Sequence, residues 1–219
     1  MNGENILGTT TSLLDKGGPV MLVLLALSIV AVAIVLAKLY QFTRCRLRQT
    51  EFLGRAVTAL GRGDSQAALA VLGTSPNPVA RVMEAAIEAA RNPQYSVEEL
   101  DSEISRFGSA EIRHLESYLR GLEVVANLCP LLGLLGTVLG MIEAFAQMEG
   151  AGAAIDPTIL AGGIWEALLT TAFGLAIAIP SLAAYYLLDS QVEKVRAAMK
   201  DAANRVLGMY RRGVPVATA

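Results

Sequence analysis

The stretch EALLTTAFGLAIAIP, residues 166–180, begins with three polar side chains and continues as an almost wholly apolar segment that ends at a proline. Glu166 and Thr170 are four residues apart and therefore lie on one face of a helix, whereas Thr171 is rotated about 140° from Glu166. A carboxyl group inside a membrane is costly to keep charged and can alternately bind and release a proton, which makes Glu166 a candidate for an ion path. The alternatives are that Glu166 snorkels to the membrane surface and that the threonines bond back to their own helix.

The composition of the chain indicates that this stretch crosses a membrane. Of the 219 residues, 53% are hydrophobic and 17% are charged, whereas soluble domains carry about 25% charged residues. Three runs without charge, at 17–37, 124–142 and 167–188, are each near the roughly 20 residues with which a helix crosses a bilayer. The first run is longer than the apolar part of a secretory signal peptide, which is the alternative for it. We therefore expect an all-α integral membrane protein with three transmembrane helices and with long helices that extend into a cytoplasmic helical domain.

The distribution of lysine and arginine predicts the orientation. Basic residues follow the first and third runs, namely Arg44, Arg46, Arg48, Lys194, Arg196 and Lys200, whereas residues 147–164 contain none. By the positive-inside rule the N-terminus and the 147–164 segment lie outside, and the middle segment and the tail are cytoplasmic. The predicted boundaries are an outer N-terminus at 1–18, spans at 19–39, 123–146 and 162–188, a cytoplasmic helical domain at 40–122, an outer loop at 147–161 and a cytoplasmic tail at 189–219.

The cytoplasmic segment is predicted to be helical with breaks. Apolar residues recur at helical spacing from Phe42 to Leu72 and are interrupted only by GRGDS at 61–65. GTSPNP at 73–78 and NPQYS at 92–96 predict two further breaks, because proline opposes helix in the residues before it.

The helix after the last of these breaks is predicted to be long. Ser96 and Glu99 have the spacing of a capping box, in which each side chain satisfies a backbone amide at the start of a helix. No proline follows before Pro130, and the apolar rhythm continues into the second run. The sequence therefore predicts one continuous helix from Ser96 into the membrane.

The second span carries small residues at helical spacing. Gly136 and Gly140 are four residues apart within PLLGLLGTVLGMIEAF, a spacing with which two helices approach closely, and Thr137 adds a polar position among them. Pro130 frees a backbone carbonyl that must find protein or water inside a membrane. The predicted packing residues of the second and third spans are Pro130, Gly133, Gly136, Gly140, Gly174 and Pro180.

Four further residues have a structural interpretation that we favour. Glu143 is interpreted as an interfacial anchor at the outer end of the second span, with an ion-path role as the alternative. His114 is interpreted as a solvated or interface residue, with a pH sensor as the alternative. Cys45 and Cys129 are predicted to be reduced thiols that bind no metal.

Charge and motifs argue against several classes of protein. The net charge is −2 and the arginines are spread along the chain, which argues against nucleic-acid binding. A phosphate loop, a nucleophile elbow and a zinc-binding run are absent from the sequence, so we expect neither an enzyme nor a metal site. Three unlike spans argue against a stand-alone carrier. Because three helices cannot enclose a conducting path alone, we expect an oligomer, and a homo-oligomeric channel or a structural membrane adaptor stays open as an alternative.

Two segments resemble a known family. PLLGLLGTVLGMIEAF at 130–145 and GGIWEALLTTAFGLAIAIP at 162–180 closely resemble the two signature spans of the ExbB/TolQ proton-channel family, whose more distant relatives include the flagellar stator subunit MotA. The predicted topology is also similar to that of the family. Position by position, the resemblance puts the proton-path residues of the family on Thr137, Glu166 and Thr171.

The resemblance implies a pentamer in the bacterial inner membrane, with the outer segments in the periplasm, that encloses two copies of a single-span partner of the ExbD/TolR type. Proton flow past an aspartate of the partner would drive its movement and act on a TonB- or TolA-like protein. Protons and membrane lipid are then required, but no cofactor.

Two positions depart from the usual pattern of the family. Thr170 stands where the family usually has a small residue such as alanine, so it either widens the polar lining of the proton path or fills space. Trp165 makes the residues before Glu166 read GIW, where the family usually has GIA. Thr170 is included among the predicted path residues.

Overall fold

The described residues of the computed structural model, 18–47, 49, 51–92, 94–150 and 157–212, form helices joined by short turns. The helices of these residues are α1 (Gly18–Arg44), α2 (Glu51–Gly61), α3 (Ser65–Gly73), α4 (Pro78–Ala90), α5 (Val97–Glu116), α6 (Leu119–Gly150) and α7 (Pro157–Arg211). Three of them, α1, α6 and α7, are long and apolar enough to cross a membrane by length and composition. The predicted all-α membrane protein with three candidate spans is confirmed.

Parts of four predicted segments lie outside the described residues. These parts are 1–17 of the predicted outer N-terminus, residues 48, 50 and 93 of the predicted cytoplasmic domain, 151–156 of the predicted outer loop and 213–219 of the predicted tail. The span and domain boundaries proposed above stay predictions.

Residue contacts divide the chain into two compact units. The span unit contains residues 18–36, 118–150 and 157–186, and thus most of the apolar helical sequence. The short-helix unit contains the described residues from 37 to 117 and from 187 to 212. The candidate path residues all lie in the span unit.

The predicted breaks between the short helices are confirmed, and side chains next to them cap the helices that follow. The Asp64 carboxylate accepts a hydrogen bond from the Ala67 N–H at 2.8 Å at the start of α3. Asn77 precedes Pro78 and accepts from the Val79 N–H at 2.9 Å at the start of α4. Such caps satisfy backbone N–H groups that have no partner inside the helix.

A break that the sequence did not predict follows α1, so the helical rhythm from Phe42 is interrupted earlier than expected. α1 ends at Arg44, and Arg46 adopts a left-handed conformation with φ of 46°. The buried side-chain amide of Asn77 donates to the carbonyl oxygens of Arg46 and Gln49, each at 3.1 Å. These bonds stabilise the turn from about thirty positions away along the chain, and neither glycine nor proline marks it locally.

The start of α5 agrees with the predicted capping box. The Glu99 N–H donates to Ser96 Oγ at 3.2 Å, and the Ser96 N–H donates to the Glu99 carboxylate at 2.8 Å. The bond from the Ser96 backbone N–H lowers the pKa of Glu99, because it stabilises the charged carboxylate. Leu100, Ile104 and Leu115 of α5 are buried, whereas Phe107 is exposed.

The predicted continuous helix from Ser96 into the second span is wrong. α5 ends at Glu116 and α6 begins at Leu119, with Tyr118 in the left-handed region at φ of 66°. Lys38 as a whole is 2% exposed, and its ammonium donates to the Leu115 carbonyl oxygen at 2.9 Å and to the Gln41 side chain at 2.8 Å. Ser117 Oγ lies 3.4 Å from the same ammonium. A cation at the C-terminal end of a helix satisfies carbonyl groups that have lost their helical donors, so the end of α5 is stabilised by a residue of α1.

We expect Lys38→Met to destabilise the end of α5, because the Leu115 carbonyl would be left buried without its donor. The cost of such an unpaired group is about 1–3 kcal/mol. The measurements are the thermal unfolding midpoint in detergent and amide hydrogen exchange at residues 113–122, where exchange should accelerate.

Lys194→Met is the matched control, since Lys194 is exposed on α7. Equal midpoints and equal exchange in the two variants would contradict a capping role for Lys38.

Candidate functional site

Helices α6 and α7 pack against each other as an antiparallel pair. Going forward along α6, its residues meet successively earlier residues of α7: Cys129 is next to Gly174, Gly136 next to Thr170, and Gly140 next to Ala167. We call this contact the small-residue seam, and its members are Cys129, Gly133, Gly136, Gly140 and Ala144 of α6 and Gly163, Ala167, Thr170 and Gly174 of α7.

The two backbones approach too closely for larger side chains. A Cβ atom added to Gly174 would lie 2.5 Å from the Cys129 carbonyl oxygen, and one added to Gly133 would lie 2.9 Å from the Thr171 Cα atom. Close approach of this kind is how helices associate in a membrane, where lipid is as apolar as leucine and packing must supply the attraction. The structure places Gly133, Gly136, Gly140 and Gly174 of the predicted packing residues in the seam.

Thr170 is part of the seam and is 3% exposed. Its side chain occupies the space opposite Gly136, where an added Cβ atom would collide with the Thr170 hydroxyl. Thr170 Oγ1 donates to the Ala167 carbonyl oxygen at 2.7 Å and lies 3.4 Å from the Gly133 carbonyl oxygen. The hydroxyl of Thr170 is thus directed into the helix pair.

Thr137 and Thr171 border the seam at equivalent positions. Thr137 follows Gly136 by one residue and Gly133 by four, and Thr171 follows Thr170 by one and Ala167 by four. In an antiparallel pair, residues with the same angular offset from the two contact lines lie on the same side of the pair. The structure therefore brings these two predicted path residues to one side, which we call the threonine flank.

The two hydroxyl groups on the threonine flank differ in their hydrogen bonds. Thr137 Oγ1 donates to the Leu134 carbonyl oxygen of its own helix at 2.6 Å. Thr171 Oγ1 is buried and has no hydrogen-bond partner in the described part of the chain. The Thr137 hydroxyl is thus hydrogen-bonded to its own helix, whereas the Thr171 hydroxyl is not.

Glu166 lies on the opposite side of the seam from Thr171. It precedes Ala167 by one residue and Thr170 by four, which rotates it about 140° from Thr171, and its side chain is partly exposed. Helix α1 lies on this same side further along α7, where residues of the two helices line a cavity of about 280 Å³. The α7 residues of that cavity are Ala176, Ile177, Pro180, Ser181 and Ala184. Within one chain, Glu166 and the two threonines are therefore not brought together.

The remaining predicted residues lie outside the small-residue seam. Pro130 and Pro180 lie inside α6 and α7, and Pro180 is exposed. Glu143 and His114 are both exposed, so the alternatives given for them stay open. Cys45 and Cys129 are free cysteines, and that both are reduced and bind no metal stays a prediction. Among the described residues there is no cluster of three or more histidine, cysteine, aspartate or glutamate side chains that could hold a metal ion.

Sequence reasoning missed Gly163, Ala167 and Lys38. Gly163, Ala167, Thr170 and Gly174 are spaced by four, three and four residues, which is a stripe of small residues on one helical face. That spacing was a readable signal for the seam. Lys38 offered a weaker signal, since a lysine at the end of an apolar run is usually a snorkelling residue.

Comparison with known proteins matches this pair of helices to a family. A sequence profile of the MotA/TolQ/ExbB proton channel family matches residues 74–201, more than half of the chain. The chain belongs to this family. The matched region includes all of α6 and the part of α7 that carries Glu166, Thr170 and Thr171.

Relatives extend the match over most of the chain. An ExbB-like protein of Synechocystis sp. is 31% identical over 198 residues, which cover 90% of this chain and 92% of that protein. An ExbB homologue of Methanothermobacter thermautotrophicus is 27% identical over 196 residues, 87% of this chain and 68% of that protein. The Tol-Pal system protein TolQ of Haemophilus influenzae is 42% identical over 85 residues, 39% of this chain and 37% of that protein. The resemblance to the ExbB/TolQ type is thus confirmed, and the family is one of proton channels rather than a class of enzymes.

The seam predicts that alanine substitution at two glycines of α7 has very different effects on the stability of the protein. Gly174→Ala should destabilise the protein by about 1–3 kcal/mol, the usual cost of overpacking, because the new methyl group meets a backbone oxygen that cannot rotate away. The measurement is the thermal unfolding midpoint in detergent, together with the yield of correctly assembled protein.

Gly162→Ala is the matched control, because a Cβ atom added there meets no atom within 4 Å. The seam would be refuted as the main α6–α7 contact if Gly174→Ala were as stable as Gly162→Ala.

Proposed function

We propose that the chain is the channel-forming stator subunit of a motor that is driven by the proton-motive force in the bacterial inner membrane. The motor is of the ExbB/ExbD or TolQ/TolR type. The observation that carries the proposal is the placement of Thr137 and Thr171 together on one flank of the α6–α7 pair, inside the segment that matches the proton-channel family.

The proposed proton path uses three side chains with two kinds of chemistry. Glu166 binds and releases the proton, because a carboxyl group on a membrane-spanning helix is costly to keep charged and alternates between its two states. Thr137 and Thr171 provide hydroxyl oxygens along the path, as polar side chains do in ion channels. Thr170, whose hydroxyl is directed into the helix pair, acts on the path indirectly. No cofactor other than the transported proton is assigned.

A path that includes Glu166 and both threonines needs more than one subunit. Within one subunit the seam separates the Glu166 side from the threonine flank, and the seam is too closely packed to conduct. In a ring of subunits, the Glu166 side of one copy faces the threonine flank of the next or borders the same central space. Large apolar side chains on α6 are exposed, which suits contact with neighbouring subunits and lipid: Leu131, Leu134, Ile142 and Phe145. We take the ring to be a pentamer from the family resemblance.

The centre of the ring holds a single-span protein of the ExbD/TolR type. Proton transfer between an aspartate of that span and the path residues moves the partner within the ring. Through a TonB- or TolA-like protein, this motion energises transport or envelope processes. The basic residues after the first and third spans support a periplasmic N-terminus, a periplasmic loop at 147–161 and cytoplasmic segments at 40–122 and 189–219.

Replacing the path residues should abolish coupled proton flow. We expect Glu166→Gln and Thr171→Val to reduce proton-motive-force-dependent activity about tenfold or more, since loss of a positioned proton-transfer group costs at least that much. The measurement is proton flux into liposomes that contain the co-expressed complex, in sodium-free buffer, with an uncoupler as the zero reference.

Two conservative changes serve as controls. Glu149→Gln removes an exposed carboxylate at the C-terminal end of α6 and is the control for Glu166→Gln. Thr58→Val removes an exposed hydroxyl in the short-helix unit and is the control for Thr171→Val. Wild-type flux in the assembled Glu166→Gln and Thr171→Val variants would rule out the assigned path.

Co-purification distinguishes the proposed motor function from the two alternatives, a plain channel and a structural adaptor. A tagged chain expressed from its native genome should recover a short single-span protein with an aspartate in its span. A homo-oligomer that conducts protons without such a partner would favour a plain channel, and one that neither conducts nor binds a partner would favour a structural adaptor.

A further inference from the structure

The hydrogen bond of Thr170 determines what the neighbouring hydroxyl can do. Thr170 Oγ1 donates to the Ala167 carbonyl oxygen at 2.7 Å, from three residues further along α7. A threonine bonds back to the carbonyl three or four residues before it, so the acceptors on α7 within reach of Thr171 are those of Leu168 and Ala167, and in the structure its hydroxyl bonds to neither. Resting on the function proposed above, we propose that Thr170 is a positioning residue that closes the Ala167 acceptor to the Thr171 hydroxyl and so favours an acceptor outside α7.

The Ala167 carbonyl has no capacity left for Thr171. A backbone carbonyl oxygen has two lone pairs and accepts about two hydrogen bonds. The helical ladder directs the Thr171 N–H to this oxygen, and the Thr170 hydroxyl takes the second position. Thr170 is itself held in place, because its side chain fills the space opposite Gly136 and its hydroxyl lies 3.4 Å from the Gly133 carbonyl.

The state of the Thr171 hydroxyl agrees with this reasoning. Thr171 Oγ1 is buried and has no hydrogen-bond partner within the residues that the structure describes. A buried hydroxyl without a partner is unfavourable, so it is rarely left in that state unless another molecule supplies the acceptor. An oxygen with a free lone pair is the chemistry required, and in the proposed complex it is the carboxylate of the partner span.

The two hydroxyls of the threonine flank then have opposite roles. Thr137 gives its proton to the Leu134 carbonyl at 2.6 Å and presents only lone pairs outwards. Thr171 has its proton available and can donate outwards. An ionised carboxylate only accepts hydrogen bonds, whereas a protonated carboxyl group also donates one. The flank can therefore bind both states of one carboxyl group, the ionised state through Thr171 and the protonated state through Thr137 and Thr171 together.

Removal of the Thr170 hydroxyl tests the proposal through Thr171. Thr170→Val and Thr170→Ala free the Ala167 carbonyl, so that the Thr171 hydroxyl bonds back to it, and proton flux of the complex in liposomes should fall about fivefold, the scale of one hydrogen bond. Thr170→Ser keeps a hydroxyl at the same position and should retain wild-type flux. In a Thr171→Val background, Thr170→Val should cause no further loss, because its effect passes through the Thr171 hydroxyl.

Two results would overturn the proposal. One is an equal proportional loss from Thr170→Val in the presence and absence of the Thr171 hydroxyl, which would indicate a packing role alone. The other is unchanged flux in both Thr170→Val and Thr170→Ala after correct assembly.

A spectroscopic measurement keeps this test separate from the proposed function. In threonine-labelled protein, the Thr171 Cβ signal in solid-state NMR is identified by its loss in Thr171→Val. It should shift in Thr170→Ala towards the value of the internally bonded Thr137, and an unshifted signal would refute the positioning role. Absence of proton flux in the wild-type complex would instead count against the proposed function, and the NMR result would still decide the role of Thr170.

Discussion

Helices that touch backbone to backbone leave no room for a side chain between them, and α6 and α7 make this kind of contact. In a membrane such packing must supply the attraction that the hydrophobic effect supplies in water. Only glycine fits at position 174, since an added methyl group would meet the Cys129 carbonyl. Rotation of either helix about its axis would bring a larger side chain into this space and cause a collision. The direction of every other side chain on the two helices follows from that restriction. Thr137 and Glu166 lie at fixed angles on either side of this contact, and Thr171 meets it through its backbone next to Gly133.

The sequence was sufficient to predict the three candidate spans and the glycines that α6 contributes to the seam. Long charge-free runs identify membrane helices because the bilayer imposes a length and excludes charge, and both conditions are visible in composition. The spacing of Gly136 and Gly140 was equally visible. The angle between Glu166 and Thr171 also follows from helical geometry alone. Which of the two lies on the same side as Thr137 does not, because that depends on the face of α7 that meets α6.

Two corners of the chain were missed for one physical reason. At Arg46 and at Tyr118 the backbone is left-handed, yet neither residue is glycine and no proline follows. The partners that stabilise these corners, Asn77 and Lys38, come from distant positions and donate to carbonyl groups that a continuous helix would have used. Helix ends are predicted from glycine, proline and short polar residues close by in the sequence. A hydrogen-bond donor that is distant in the sequence and is positioned by tertiary packing gives no such local signal.

The buried hydroxyl of Thr171 also has a consequence for the life of the protein in a cell. A polar group without an acceptor raises the free energy of the folded subunit, and this cost ends only when an acceptor binds. A ligand that binds only the native state increases its apparent stability, and differences of this size alter how much protein survives proteolysis. If the partner of the proposed complex supplies that acceptor, copies made in excess of the partner would be the ones that quality control removes first. The hydroxyl proposed for proton transfer would then also limit the amount of this protein to the amount of its partner.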